Sequence, residues 1–240
     1  MRLFYLLLLA HLLTDFVFQG KALAQKKKES PAAIAGHCLI FLLSAAILLR
    51  LFGFPLLAGK LAIVLLVLTA ARCLIDGLKN YLAGAFPRHK FEWLIFNQAL
   101  HGGAIFAAAL YVNPASFAAL PEILKIKSFS DGIILISIGY VLMWGGTHFV
   151  RNLLEKIPPL KAEPAEFNVG LIIGNLERIL IFTLVLVDQY AAIGLVLAAK
   201  SIARFEDLKK REFAEYYLIG TLLSALIAIA AGIVVKYLIG

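Results

Sequence analysis

Apolar runs of bilayer-crossing length recur along this 240-residue chain, at roughly 3–19, 31–50, 60–80, 93–111, 131–150, 169–187, 190–205 and 213–238. A transmembrane helix needs about 20 predominantly apolar residues. The chain therefore reads as an all-α integral membrane protein, a bundle of eight transmembrane helices. The run at 190–205 is the weakest, because Asp188-Gln189-Tyr190 leaves almost no connection before it. It reads as a full span, one arm of a re-entrant pair, or part of a broken helix. Composition excludes a soluble domain: 62% of residues are hydrophobic and only 16% charged, with a mean hydropathy of +0.90. Soluble domains carry about 25% charged residues.

Helix ends are marked by Ser30-Pro31, Gly53-Phe54-Pro55, Asn113-Pro114 and Pro158-Pro159. The longest external connection spans 112–130, and a segment rich in proline and charge covers 157–167. Two domains are expected, an N-terminal four-helix membrane domain over 1–112 and a C-terminal four-helix extension over 113–240. The opening run carries Arg2 but also His11, Asp15 and Gln19, and no small-residue cleavage site follows it. It reads as a retained first helix rather than a signal peptide.

The net charge of +8 sits in short clusters between apolar runs, not on one basic face with interleaved aromatics. Nucleic acid is thereby excluded as a partner, leaving membrane lipid as the expected one. Alternate connections divide the cations fifteen to six, with the Lys26-Lys27-Lys28 run on the richer side. The positive-inside rule puts that side in the cytoplasm and both termini outside. Cys38 and Cys73 both lie in apolar runs and read as small buried hydrophobes rather than a disulfide or metal pair.

Charges within a span cost about 2.5–3.5 kcal/mol each at the bilayer centre on insertion scales and need a reason to be there. His11, Asp15 and Gln19 are spaced i, i+4, i+8. That is one stripe of a helix, about 12 Å long at 1.5 Å per residue. The second span adds His37. The third ends with Arg72, Asp76 and Lys79 on one face, and the fourth opens with Asn97-Gln98 and His101. The alternating directions of these spans bring all their polar groups into the cytoplasmic leaflet. Ion pairs such as Arg72–Asp15 and Lys79–Asp76 are the structural alternative to a functional cavity.

A second cluster comprises Glu177 and Arg178, with Lys200, Arg204 and Glu215 as partners in an interhelical lock. Gly170 and Gly174 read as close helix packing. His89 and His148 read as interfacial residues.

The segment His11-Leu12-Leu13-Thr14-Asp15-Phe16-Val17-Phe18-Gln19 resembles the opening of a family of bacterial membrane proteins, catalogued as a domain of unknown function, that begins H-L-x-x-D-F-x-x-Q. The later family elements, H-x-x-x-D-x-x-K and D-Q-x-x-H, correspond to Arg72 through Lys79 and to Asn97-Gln98-Ala99-Leu100-His101. The resemblance covers roughly residues 5–105 and implies the bacterial inner membrane. The segments 200–205 and 215–222 resemble the C-terminal extension of longer members. Arg72 stands where histidine is usual and Asn97 where aspartate is usual; both changes remove a good metal ligand.

Three functions suit these residues. The first is a membrane-embedded metal-dependent hydrolase acting on a lipid or lipid-linked substrate. His11, Asp15, His37, Asp76 and His101 would hold a divalent cation. His11, Asp15, Asp76 and His101 would form the catalytic set. Gln98 would orient substrate beside Gln19 and Asn97, with Arg72 or Lys79 on an anionic head group. The second is a proton- or ion-coupled transporter or channel, and the third a non-catalytic membrane assembly protein.

Overall fold

With lipid as solvent, backbone amides and carbonyls must be satisfied within the segment, and that requirement selects helices. The computed structural model describes residues 1–56, 59–86, 89–114, 128–154 and 169–240, and every regular element among them is helical. In chain order the helices are α1 (Arg2–Leu12), α2 (Lys21–Glu29), α3 (Pro31–Leu51), α4 (Gly59–Ala85), α5 (Lys90–Val112), α6 (Phe129–Leu154), α7 (Val169–Leu186), α8 (Tyr190–Ala203) and α9 (Arg211–Ile239). The expected breaks at Pro31, Gly53 and Asn113 fall at helix ends: Pro31 opens α3, Gly53 takes a φ of 80° after it, and α5 stops at Val112. Pro158-Pro159, the segment 157–167 and most of 112–130 lie outside the described residues, as do Arg88, Lys125, Lys127, Lys156 and Lys161.

Among the described residues five helices, α3, α4, α5, α6 and α9, are long and apolar enough to cross a membrane; α1 and α2 together make a sixth if their bent pair is one span. The break between Val17 and Ala22 turns the chain by 96°. Helix α8 has only 14 residues, about 21 Å at 1.5 Å per residue, short of a hydrocarbon core about 30 Å thick.

The chain divides into two compact units, Met1–Val141 and Leu142–Gly240. In the first, α1 packs on α3 and α5, α4 packs on the same two helices, and α2 lies against α3. The centre of α1 is wholly enclosed, with Leu6, Leu7 and Ala10 at zero exposure. Helix α3 shows the membrane pattern plainly. His37, Phe41, Ala45 and Leu49 face inward at intervals of four residues, while Leu39, Leu43 and Ile47 face outward. Helix α4 turns Leu61, Leu65, Leu68, Arg72 and Asp76 inward, and α5 turns Asn97, His101, Ile105 and Ala109 inward. Polar inside and apolar outside is the arrangement of a protein dissolved in lipid.

In the second unit α7 packs on both α8 and α9. Asp188, at φ 60°, turns the chain between α7 and α8. Helices α7 and α9 approach closely at Gly232, where an added Cβ would stand 2.6 Å from Val185 Cγ1. That corrects the expectation for Gly170 and Gly174: a Cβ at Gly170 meets nothing within 4 Å, and one at Gly174 meets only the Arg178 side chain.

Cys38 and Cys73 are joined as a disulfide between α3 and α4, with Cα atoms 6.0 Å apart. They are therefore not the separate apolar fillers expected. Their runs are on helices that pack together, which spacing in the sequence does not reveal.

Candidate functional site

Helix α1 does not simply stop at its polar end. It continues as a π-helical turn over Leu13–Val17, in which Phe18 N donates to Leu13 O at 2.9 Å, five residues back. The Thr14 hydroxyl, fully buried, donates to Ala10 O at 2.7 Å. Such turns re-aim side chains and are frequent at functional sites. Here the turn breaks the expected straight stripe: Gln19 leaves the helix and faces α2, while His11 and Asp15 remain in the core.

Asp15 lies at the centre of the cluster. Arg72 Nη2 donates to Asp15 Oδ1, and Gln98 Nε2 donates to Asp15 Oδ2 at 3.0 Å. His37 Nε2 is 3.1 Å from Asp15 Oδ1. Arg72 also reaches His11 Nδ1 and lies 3.0 Å from His37 Nε2. Its guanidinium sits over the Phe41 ring, 4.9 Å from the centroid. His11 Nδ1 faces a donor that is always charged, so its proton resides on Nε2 and goes to Gln98 Oε1 at 2.9 Å. His11 and Asp15 themselves stand 4.0 Å apart.

Asp76, one turn beyond Arg72, organises the second half of the site. Lys27 Nζ donates to Asp76 Oδ2 at 2.7 Å and to Gln19 Oε1 at 3.0 Å. His101 Nε2 lies 3.3 Å from Asp76 Oδ1, and the His11 and His101 rings are 4.9 Å apart. The Arg72–Asp15 pair agrees with the expected clamp, but the ammonium partner of Asp76 is Lys27, not Lys79. Lys79 stays half-exposed on α4. Asn97 is buried, and its Oδ1 has no partner among the described residues.

Reasoning from the sequence missed Lys27. It stands in the run Lys26-Lys27-Lys28, yet it is 7% exposed while its two neighbours are exposed. The available signal was helical: Lys27 follows Leu23 and Ala24 by one turn, on the apolar face of α2. Asn80 Nδ2 pins α2 from α4 by donating to Lys27 O at 2.7 Å.

Two carboxylates therefore face two basic side chains, Asp15 with Arg72 and Asp76 with Lys27, which balance in charge when all four are ionised and the histidines are neutral. The expected metal set does not fit this geometry. The Arg72 guanidinium contacts Asp15, His11 and His37, which fills the place where a cation shared by them would sit. Among the described residues no three His, Cys, Asp or Glu side chains converge as a metal site would require. The cavity beside Arg72 and His101 is about 10 Å³, room for about one water molecule.

The C-terminal cluster resolves into separate contacts. Lys200 pairs with Glu177, Arg204 with Asp207 at 3.2 Å, and Arg211 with Glu215 at 2.9 Å. Arg178 instead donates to Met143 O, Ser224 Oγ, Thr147 Oγ1 and Asn175 Oδ1. Thus Arg204 and Glu215 take no part in a lock with Glu177 or Arg178. His89 is exposed beside Glu92, 3.9 Å away, and His148 is exposed on α6.

Helices with an apolar exterior and a charge-balanced polar core define a helical membrane protein. The family model for a protein of unknown function, DUF3307, matches residues 3–127, and the chain belongs to that family. The match takes in the whole Asp15–Asp76 network and stops short of the second unit. No curated protein and no solved structure matches the chain.

Proposed function

We propose that the N-terminal unit is the proton-exchange site of a membrane transport protein. The position of His37 carries this reading. Its Nε2 lies 3.1 Å from Asp15 Oδ1, within hydrogen-bond reach, and 3.7 Å from Asp76 Oδ2, near enough to feel that charge without bonding it. The same nitrogen is 3.0 Å from Arg72 Nη2. When it carries a proton it donates to Asp15; when it does not, it accepts from Arg72. Its Nδ1 has no partner among the described residues. Imidazole is the side chain whose ordinary pKa, about 6.5, allows proton uptake and release near neutrality. Ionisable groups inside a membrane serve most often as proton or ion paths.

Lys27 closes this site on the side of α2, whose Lys26 and Lys28 are exposed. Withdrawal of α2 would expose Asp76 and, through it, His37. The topology that goes with this reading has both termini outside, with α7 and the short α8 as two spans or a re-entrant pair, and the site in the cytoplasmic leaflet of a bacterial inner membrane. The fifteen-to-six division of cations supports that orientation. A metal-dependent lipid hydrolase is the weaker reading, because a guanidinium fills the middle of the ligand set and the adjoining cavity admits no lipid.

Reconstitution into liposomes tests the proposal. An imposed pH gradient should collapse faster with the protein than without it. His37→Gln and Asp76→Asn should lose most of that flux while still inserting and keeping their helical circular dichroism. A folded wild-type protein that leaves the gradient as stable as in empty liposomes would overturn the reading in favour of a structural clamp.

A further inference from the structure

The second unit, which the family match does not reach, has an open-sided cavity of about 460 Å³ between the end of α6, α7, the end of α8 and the start of α9. That volume lies within the range of small-ligand sites, about 300–1,000 Å³. Most of its wall is apolar. Its charged lining residues, Arg151, Arg178, Lys200 and Arg204, are all cations, and no carboxylate lines it among the described residues.

Arg178 is the informative one. It is 3% exposed, and its hydrogen-bond partners are all neutral: Met143 O and Ser224 Oγ at 2.9 Å, Asn175 Oδ1 at 2.6 Å, and the Thr147 hydroxyl. A cation buried at membrane depth ordinarily pairs with an acid. The adjacent acid, Glu177, is engaged by Lys200. Of the five guanidinium hydrogens, the second on Nη1 has no acceptor among the described residues. Another donor waits on the same wall: the Tyr217 hydroxyl is buried and has no partner among the described residues. Open space is provided at Gly170, where a Cβ would meet nothing within 4 Å among the described residues.

We propose that this cavity holds an anionic membrane lipid, with its charged head group held by Arg178, Arg204 and the Tyr217 hydroxyl and one acyl chain along the apolar wall. Arg178, whose partners are all neutral, selects an anion, with Arg204 shared between it and Asp207; the apolar wall selects a chain, and the surrounding bilayer is the source of both. A soluble anion would satisfy the arginines but leave the apolar wall uncovered; a neutral lipid would do the reverse.

Native mass spectrometry of the full chain, released from a neutral detergent, tests this with three probes. These are phosphatidylglycerol, phosphatidylcholine with the same acyl chains, and inorganic phosphate. One phosphatidylglycerol should stay bound at collision energies that strip phosphatidylcholine, and phosphate alone should not be retained. Arg204→Gln changes a half-exposed side chain and should weaken phosphatidylglycerol binding about tenfold, the effect of losing one charge-assisted hydrogen bond. Gly170→Leu projects into open space and should abolish retention without lowering the unfolding temperature of the lipid-free protein. Equal retention of the two lipids, or undiminished phosphatidylglycerol binding in Gly170→Leu, would overturn the proposal.

Discussion

Lys27 Nζ donates to Asp76 Oδ2 at 2.7 Å across 49 residues of sequence, and both side chains are buried. The contact ties a short basic helix to the interior of the bundle. Breaking a buried pair by removing one partner costs about 3–5 kcal/mol, because the other charge is left uncompensated. Lys27→Met should therefore lower the unfolding temperature in detergent sharply, and Lys27→Met with Asp76→Asn should recover part of the loss. The coupling energy from that double-mutant cycle should be about 1–3 kcal/mol. Additive effects of the two changes would show that the pair is not formed.

Arg72 tests the relation between this site and metals. Its guanidinium touches Asp15, His11 and His37 at once, and a lysine ammonium cannot reproduce that planar fork. Zinc should leave the wild-type unfolding temperature unchanged. Arg72→His removes the cation and adds an imidazole, and zinc should then raise the unfolding temperature through preferential binding to the folded state. A wild-type protein stabilised by zinc and destabilised by a chelator would contradict the arrangement.

Much of this site could be read from spacing alone. His37, Arg72, Asp76, Asn97 and His101 prolong the inward-facing stripes of their own helices at four-residue intervals, and helical periodicity makes that visible without coordinates. The π turn at Leu13–Val17 was not visible, since nothing in its residues distinguishes it from another turn of α1. Lys27 was hidden for a different reason: composition assigns three consecutive lysines to water together, and only the face of α2 separates the middle one. The Cys38–Cys73 pairing depends on which helices become neighbours, information that is non-local. The metal expectation counted ligands by type; the Arg72–Asp15 pair was legible from spacing, but that the same guanidinium also reaches His11 and His37 depends on helix packing.

Gly232 is required by the close approach of α7 and α9. A Cβ there would lie 2.6 Å from Val185 Cγ1 and 2.8 Å from Val185 Cβ, and Val185 is fully buried. A clash so near the backbone cannot be relieved by a rotamer change alone. Gly232→Ala should destabilise the protein by about 1–3 kcal/mol, and Val185→Ala in the same chain should restore part of it. A Gly232→Ala protein with wild-type thermal stability would mean that the two helices do not approach this closely.

Asp188 joins two separable effects in one exposed residue. Its φ of 60° is a conformation that Asn and Gly tolerate and β-branched residues do not. The hydrogen bond from the Lys236 ammonium also holds its carboxyl below the ordinary carboxylate value. A carboxyl lowered in the folded state contributes stability above its ordinary pKa and loses it as pH falls through the lowered value. Asp188→Asn keeps the backbone conformation and should remove only this acid-side dependence. Asp188→Val should lower the unfolding temperature at every pH, because it adds backbone strain to the lost ion pair. Thermal unfolding of both variants at neutral and acid pH separates the two contributions; equal behaviour of Asn and Val would rule out the left-handed turn between α7 and α8.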